Sequence, residues 1–194
     1  MTQLNSSTDY IILAGPTASG KSAIALDLAA EIDGVIINAD SMQVYADLHV
    51  LTARPTAADE ALLPHRLYGF IDGAERYSVG HWLRDVKKTV QQVRAQGRWP
   101  ILVGGTGFYL NAAEYGLSSI PNIPNAVRAK ATSLYTKHGG EDCLERLRGK
   151  DPVIAGRLQP GDKQRVIRAL EVVMHTGKPL SYWQALPRQG GLTG

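Results

Sequence analysis

Residues Gly15, Pro16, Thr17, Ala18, Ser19, Gly20, Lys21 and Ser22 spell G-x-x-x-x-G-K-[ST]. That spacing builds a cradle for phosphate oxygens. Glycines let backbone N–H groups turn inward, and a helix starting at the loop's end adds a partial positive charge. Lys21 brings a full positive charge, and the Ser22 hydroxyl is a ligand suited to Mg²⁺. The pattern implies a di- or triphosphate site of the nucleotide-binding type. It does not specify which phosphate compound binds, or what becomes of it.

A carboxylate follows the next apolar run, in Asn38-Ala-Asp40-Ser41-Met42-Gln43. In ATPases and kinases such a strand ends in a Mg²⁺-binding Asp. Asp40, after Val35-Ile-Ile37, suits that role, and it suits equally a proton acceptor or a helix cap. A further apolar run, Ile101-Leu-Val103, ends in Gly104-Gly-Thr106-Gly107 with no acid, which takes support from an ATPase.

The elements that must hold these loops are legible as periodic patterns. Tyr10–Ala14, Gly34–Asn38 and Trp99–Val103 are short apolar runs, each closed by a Gly- or Asp-bearing loop. They predict buried parallel strands. Ser22–Ile32 carries Ile24, Ala25, Leu28, Ala29 and Ile32 at helical spacing. Ser78 reads as the cap of a helix bearing Trp82, Val86, Val90 and Val93 and closed by Gly97. Strands alternating with helices predict an α/β fold with a parallel sheet. Ligands of such sheets bind at the C-terminal strand ends. All three polar loops belong there.

The pattern changes near residue 118. Pro121 and Pro124 interrupt the chain, and Val127–Lys137, Glu141–Leu147 and Lys163–His175 read as helices with no further strand alternation. This divides the chain into a phosphate-loop core, residues 1–118, and a helical segment, residues 119–194. Charge divides at the same place. Met1–Ile120 holds 9 Lys+Arg against 12 Asp+Glu, a net of −3; Pro121–Gly194 holds 12 against 6, a net of +6. A basic second half suits a polyanionic partner, or a solvated helical surface.

Hydrophobic residues make up 44% and charged residues 20% of the 194, which excludes a disordered or fibrous chain. The sole cysteine, Cys143, can form neither an internal disulfide nor a thiolate zinc cluster. Met1–Asp9 lacks the basic and apolar regions of a secretory signal, and Tyr10–Gly15 is too short to span a bilayer. The expectation is a cytoplasmic protein without a membrane segment.

Several segments, in order, resemble the tRNA dimethylallyltransferase (IPP transferase) family. They are Gly15–Ser22, Asn38-Ala-Asp40-Ser-Met-Gln43-Val-Tyr45, Thr52-Ala-Arg-Pro55, Pro64-His65, Val103-Gly-Gly-Thr106-Gly-Phe-Tyr109 and Asp162-Lys-Gln-Arg165-Val-Ile-Arg168-Ala-Leu-Glu171. The phosphate loop alone is generic; the ordered set is specific. The resemblance implies a P-loop NTPase-like core with a helical insertion that binds tRNA. It implies transfer of a dimethylallyl group from dimethylallyl diphosphate to N6 of an adenosine in the tRNA anticodon loop, with Mg²⁺, by a monomer. Gly15–Ser22 would bind the diphosphate, with Ser22 on the metal. Asp40 would be the general base, and Thr106 would approach the diphosphate and the reacting nucleotide. Ser41 and Gln43 would line the adenosine site, and Met42 between them would contact the tRNA. Arg128 and the run Gln164, Arg165, Val166, Ile167 and Arg168 would contact the anticodon stem-loop. Family members are longer and return to the core after the insertion, so the core is expected to be incomplete at Gly194 and the activity of this length of chain stays open.

The residues agree with that chemistry. An exocyclic adenine amine is a poor nucleophile because its lone pair is delocalised into the ring. Alkylation is easier when a carboxylate takes its proton. Diphosphate leaves readily once its charge is neutralised. The site therefore needs an anion cradle on one side and a base on the other, which Gly15–Ser22 and Asp40 supply from what read as adjacent strand ends. Gln164, Arg165 and Arg168 share a helix face, with Val166 able to turn to a core. Tyr45, Tyr109, Tyr135 and Trp183 are stacking candidates that equally suit core packing, and His65 reads as structural. Competing assignments are a P-loop kinase, a non-catalytic RNA-binding protein, and a prenyltransferase of free adenine nucleotides.

Overall fold

A computed structural model describes residues 9–192. The N-terminal stretch judged for a secretory signal lies outside them up to residue 8, as do residues 193 and 194 at the chain's end. The described chain forms two compact units, one of residues 9–117 with 190–192 and one of Ser118–Gln189.

The first unit is a four-stranded, all-parallel sheet of β1 (Ile11–Ala14), β2 (Gly34–Asn38), β3 (His65–Arg66) and β4 (Trp99–Gly104). Helices α1 (Lys21–Glu31), α2 (Ala57–Leu62), α3 (Val79–Ala95) and α4 (Gly107–Tyr115) connect and cover it. The spatial order is β1-β4-β2-β3. Ile11 to Ala14 of β1 pair with Ile101 to Gly104, and Gly34 to Asn38 of β2 pair with Trp99 to Val103 on the other side of β4. β1 and β2 are therefore not neighbours, contrary to the expectation from sequence. β4 lies between them, so its Gly-rich end separates the phosphate loop from Asp40.

Every residue of β2 is buried, because helices pack on both faces. Side chains alternate along a strand. Val35 and Ile37 join Leu102, Trp82, Val86 and Val90 in one core, while Ile36 joins Ile101, Val103, Ala25 and Ala29 in another. Full burial of one such aliphatic side chain contributes about 1.5–3 kcal/mol. Ser78 caps α3 as expected, its hydroxyl accepting the His81 N–H at 3.3 Å. Three elements had no clear signature in the sequence: two-residue β3, α4, and α2 within the mixed stretch after Thr52. α2 nonetheless begins with a capping box in which the Thr56 and Asp59 side chains accept each other's backbone N–H.

The second unit is helical: α5 (Asn125–Arg148), α6 (Pro152–Ala155), α7 (Lys163–Thr176) and α8 (Leu180–Ala185). α5 bends at Gly139, whose φ of 78° and ψ of 174° leave helical geometry. This break accounts for the two shorter helices read there. The core gathers Ala131, Cys143, Leu144 and Leu147 with Val166, Ala169, Leu170 and Val173. Buried Asp151 ties α6 to α8 by accepting the Ile154 N–H at 3.1 Å and the Ser181 N–H at 3.0 Å. Residues 190–192, assigned to the helical segment from sequence, belong instead to the first unit. There the Leu192 N–H donates to the Ala113 carbonyl at 2.6 Å. Among the described residues no helix is long and apolar enough to cross a membrane.

Candidate active site and nucleic-acid interface

β1 delivers Gly15–Ser22 directly into α1. Gly20, at φ 80°, caps α1 without a side-chain acceptor, so the helix's first N–H groups face outward at its positive end. Ala18 also takes positive φ, 62°, a conformation that curls the loop and costs a residue with a Cβ some strain. Ser19 Oγ donates to the Pro16 carbonyl at 2.8 Å. Lys21 Nζ donates to the same carbonyl and to Ser19 Oγ, the latter at 3.3 Å. Lys21 is thus held over the loop, where an anion would meet it.

Asp40 sits two residues past Asn38 at the end of β2. Its Oδ1 accepts the Met42 N–H at 2.8 Å, and its own N–H donates to Asn38 Oδ1 at 2.8 Å. Oδ1 is therefore committed to the turn. The carboxylate is half-buried. Its charge reaches two tyrosines. Burial first, then Asp40, pushes the Tyr68 hydroxyl up. Burial, then Tyr45 and Asp40, pushes Tyr109 up to about 12.

The end of β4 brings the two loops together. A methyl group on Gly104 would fall 2.2 Å from the Ala39 carbonyl, so only glycine lets β4 run this close to the Asp40 turn. A methyl group on Gly105 would lie 3.1 Å from the Gly15 carbonyl oxygen and 3.9 Å from Asp40 Oδ2. Gly105 thus stands between the phosphate loop and the carboxylate. Thr106 N-caps α4 with no side-chain bond to it. Its Oγ1 accepts the Ser41 N–H at 2.9 Å and donates to Ser41 Oγ at 3.3 Å, locking the β4 loop to the β2 loop.

How firmly Asp40 is held is not legible from the residues around it in the chain. Asn38 is fully buried. Its Nδ2 donates to the Asp40 carbonyl at 2.9 Å and to the Leu67 carbonyl at 3.0 Å, while its own carbonyl accepts Trp82 Nε1 at 2.9 Å. Trp82 stacks on Tyr109 at 4.5 Å, which makes Tyr109 part of the core and not of a base-stacking surface. Asn38→Leu, which keeps the branching and heavy-atom count but breaks the three side-chain bonds, is expected to destabilise the chain by roughly 3 kcal/mol or more, given about 1–3 for each stranded group. Urea denaturation checks this, and an unshifted midpoint contradicts it.

Gln43 Nε2 donates to the Thr52 carbonyl at 2.6 Å, and Arg54 donates to the Tyr45 and Ala46 carbonyls at 3.2 and 3.3 Å. Both side chains stitch the loop after β2. Met42 is half exposed beside them. His65 Nδ1 lies 2.9 Å from the Leu63 carbonyl, a local structural contact.

The donor set suits a phosphate-bound Mg²⁺. Among the described residues no three or more His, Cys, Asp or Glu side chains gather at one point. Mg²⁺ carried on substrate phosphates and waters needs only one or two protein oxygens. The exposed Ser22 hydroxyl at the first turn of α1 and the Asp40 carboxylate are such oxygens.

In the second unit Gln164 and Arg165 are exposed, while Ile167 and Arg168 are half-buried. Val166 does not fit the expectation of a residue that contacts nucleic acid. Its side chain is fully buried in the helical core, and its N–H is spent on the Asp162 carbonyl at 2.9 Å. Arg128 and Arg168 are both bonded to Glu171, at 3.0 and 2.6 Å. Tyr135 donates to the Pro160 carbonyl at 2.6 Å, and Trp183 donates to Thr176 Oγ1 at 3.3 Å; both pack against the helical core.

The chain matches the family model described as IPP transferase over residues 43–191, and that described as Isopentenyl transferase over residues 8–71. A tRNA dimethylallyltransferase of Azorhizobium caulinodans is 54% identical over 174 residues, covering 90% of this chain and 56% of that protein. One of Methylobacterium sp. strain 4-46 is 54% identical over 187 residues, covering 95% and 60%. The chain thus spans little more than half the length of these curated relatives. A crystal structure of a eukaryotic dimethylallyltransferase acting on tRNA aligns with a TM-score of 0.75 at 29% identity, over 92% of this chain and 44% of its own. The full-length tRNA isopentenylpyrophosphate transferase of Bacillus halodurans aligns with a TM-score of 0.55 at 32% identity, over 89% and 57%. A phosphate loop and a carboxylate turn held together by the end of a central strand are accordingly found in a chain that belongs to the IPP transferase family.

Proposed function

We propose that the protein transfers a dimethylallyl group from dimethylallyl diphosphate to N6 of an adenosine in a tRNA anticodon loop. The observation that carries this is the Gly105 junction, which sets the Gly15 end of the phosphate loop and the Oδ2 of Asp40 on either side of one glycine. Anion cradle and proton acceptor thereby face a common space.

The N6 lone pair forms a bond to the allylic carbon as the carbon–oxygen bond to the diphosphate breaks. The electron pair of that bond stays on the departing diphosphate oxygen, whose charge Lys21 and the outward N–H groups of α1 neutralise. The N6 proton passes to Asp40 Oδ2. Ser22 would hold Mg²⁺, which when bound neutralises diphosphate charge. Thr106 and Ser41 keep the carboxylate turn and the β4 loop in register. The helical unit, with its excess of cations, would hold the anticodon stem-loop through Arg128, Gln164, Arg165 and Arg168. We assign residues 119–189 to that role, a monomeric working form, and the cytoplasm as the compartment.

The deciding experiment offers the protein in its natural length radiolabelled ATP in one reaction and dimethylallyl diphosphate with an anticodon stem-loop RNA in another. Prenylated adenosine in the RNA is expected. Phosphoryl transfer without prenylation would identify a kinase instead, and prenylation of AMP in preference to the RNA would identify a nucleotide prenyltransferase.

The RNA face carries its own prediction. Arg165 is exposed and makes no ion pair among the described residues. Arg165→Ala should reduce the salt slope of stem-loop binding by about one, the signature of one lost phosphate contact. Thermal stability should stay within about 0.5 kcal/mol, as for an ordinary surface change. A salt titration with an unchanged slope would take Arg165 off the RNA.

A further inference from the structure

We infer that Glu171 is a positioning residue that sets two arginines, Arg128 of α5 and Arg168 of α7, into one fixed anion-binding pair. The inference rests on the RNA-binding reading of the helical unit and extends it to a residue that touches no RNA.

The geometry is that of a shared carboxylate. Arg128 Nε donates to Oε2 at 3.0 Å, and Arg168 Nη1 donates to Oε1 at 2.6 Å. Each oxygen serves one guanidinium. The Glu171 side chain is 3% exposed, whereas those of Arg128 and Arg168 are 38% and 40% exposed. The acid is thus the buried end of the cluster and the two cations are its open side. A guanidinium has five N–H donors in a rigid fork. Each arginine spends one on Glu171 in these contacts, and the rest of its fork remains available for an anion. A lone buried carboxylate would be costly, but two charge-assisted hydrogen bonds offset the desolvation. The cluster keeps a net charge of +1.

The arrangement links two helices through residues 43 apart in sequence. Arg168 and Glu171 lie one turn apart on α7, while Arg128 arrives from the first turn of α5. Long, rotamer-rich side chains ordinarily lose freedom when they grip a ligand. Here that ordering already exists before binding, and two like charges are held close by the acid between them. Phosphate oxygens of an RNA backbone, spaced along a strand, are the anions such a pair fits.

The test turns on sign. Glu171→Gln removes a negative charge from a face that binds a polyanion. If Glu171 acted only through charge, the variant would bind RNA more tightly. If it positions the arginines, the amide offers one acceptor where two are needed and turns an N–H₂ group toward a guanidinium. Binding of an anticodon stem-loop RNA is then expected to weaken about tenfold, with the salt slope lower by one to two. Glu171→Asp keeps the charge but shortens the reach, and is expected to weaken binding in the same direction. This second variant also keeps the test alive where Glu171→Gln folds poorly. Loss of stability without repositioning would lower the denaturation midpoint but leave the salt slope of the folded protein unchanged. Tighter binding by Glu171→Gln, or wild-type affinity and slope in Glu171→Asp, overturns the inference while leaving the RNA reading intact. Failure of the unaltered protein to bind the stem-loop overturns the RNA reading, and this inference with it.

Discussion

Asp40→Asn is expected to slow prenyl transfer by roughly 10²–10⁴-fold at saturating substrates, the range for loss of a general base. The substitution preserves shape almost completely. Its cost is specific because the two carboxylate oxygens have different tasks. Oδ1 accepts the Met42 N–H, while Oδ2 points toward Gly105 and the phosphate loop. In the amide the single oxygen is claimed by Met42, so the N–H₂ group replaces Oδ2. The adenine amine would then meet a donor where it needs an acceptor. The variant loses the proton acceptor and presents a mismatched partner, while the Asn38 contact that holds the turn persists through the backbone N–H. If Asp40 were instead a Mg²⁺ ligand, raising Mg²⁺ would restore the rate and diphosphate affinity would fall with the carboxylate. Single-turnover prenylation across a Mg²⁺ titration separates the two. Full rescue by Mg²⁺ removes Asp40 from the role of base, and near-normal rates at ordinary Mg²⁺ remove it from catalysis.

The parts of this site that sequence discloses are those whose physics is local. Gly15–Ser22 is readable because its chemistry is contiguous and its flanks switch from strand to helix within a few residues. β2 and β4 are readable because burial on both faces leaves an unbroken apolar run. Strand order is not local. β1 and β2 carry the phosphate loop and the Asp40 turn, yet nothing in either segment says that β4 passes between them. That one fact changes Gly104 and Gly105 from a flexible turn into a spacer whose missing side chains let three loops meet.

The supporting residues were hidden for the same reason. Asn38 looks like a polar residue ending a strand, and its partners Leu67 and Trp82 are 29 and 44 residues away. Glu171 reads as one more acid on an amphipathic helix until Arg128 arrives beside it from α5. Val166 shows the converse. Placed between Arg165 and Arg168 in a basic run, it belongs to the opposite face of α7, since helix geometry turns each residue about 100° from the last. β3 is two residues long, too short to show any alternation, and exists because β2 offers it an edge at Ile36 and Ile37.

Lys21→Ala is expected to reduce prenyl transfer by at least about a hundredfold, through weaker binding and slower ionisation of the allylic diphosphate. Loss of one charge-assisted contact to a developing anion costs roughly 2.7–4 kcal/mol, which corresponds to about 10²–10³-fold. The resting position of the side chain supports the assignment. Nζ folds back onto the loop, donating to the Pro16 carbonyl and to Ser19 Oγ, while the first N–H groups of α1 face outward at the same loop. Both cationic elements therefore converge on the space the loop encloses. An incoming diphosphate competes with the Pro16 carbonyl for the ammonium and is the stronger partner, because it carries full negative charge. Alanine removes that charge and the tie across the loop together. Lys21→Arg separates the two contributions: it keeps the charge, but its planar fork does not reproduce a compact ammonium, so only part of the activity should return. Affinity for an anticodon stem-loop should be unaffected in both variants, because the cations assigned to RNA lie on α5 and α7. Isothermal titration with a non-reactive allylic diphosphate analogue and, separately, with stem-loop RNA makes the distinction. Equal loss of both affinities in Lys21→Ala would mean that the phosphate loop serves the RNA or the fold, and not the diphosphate.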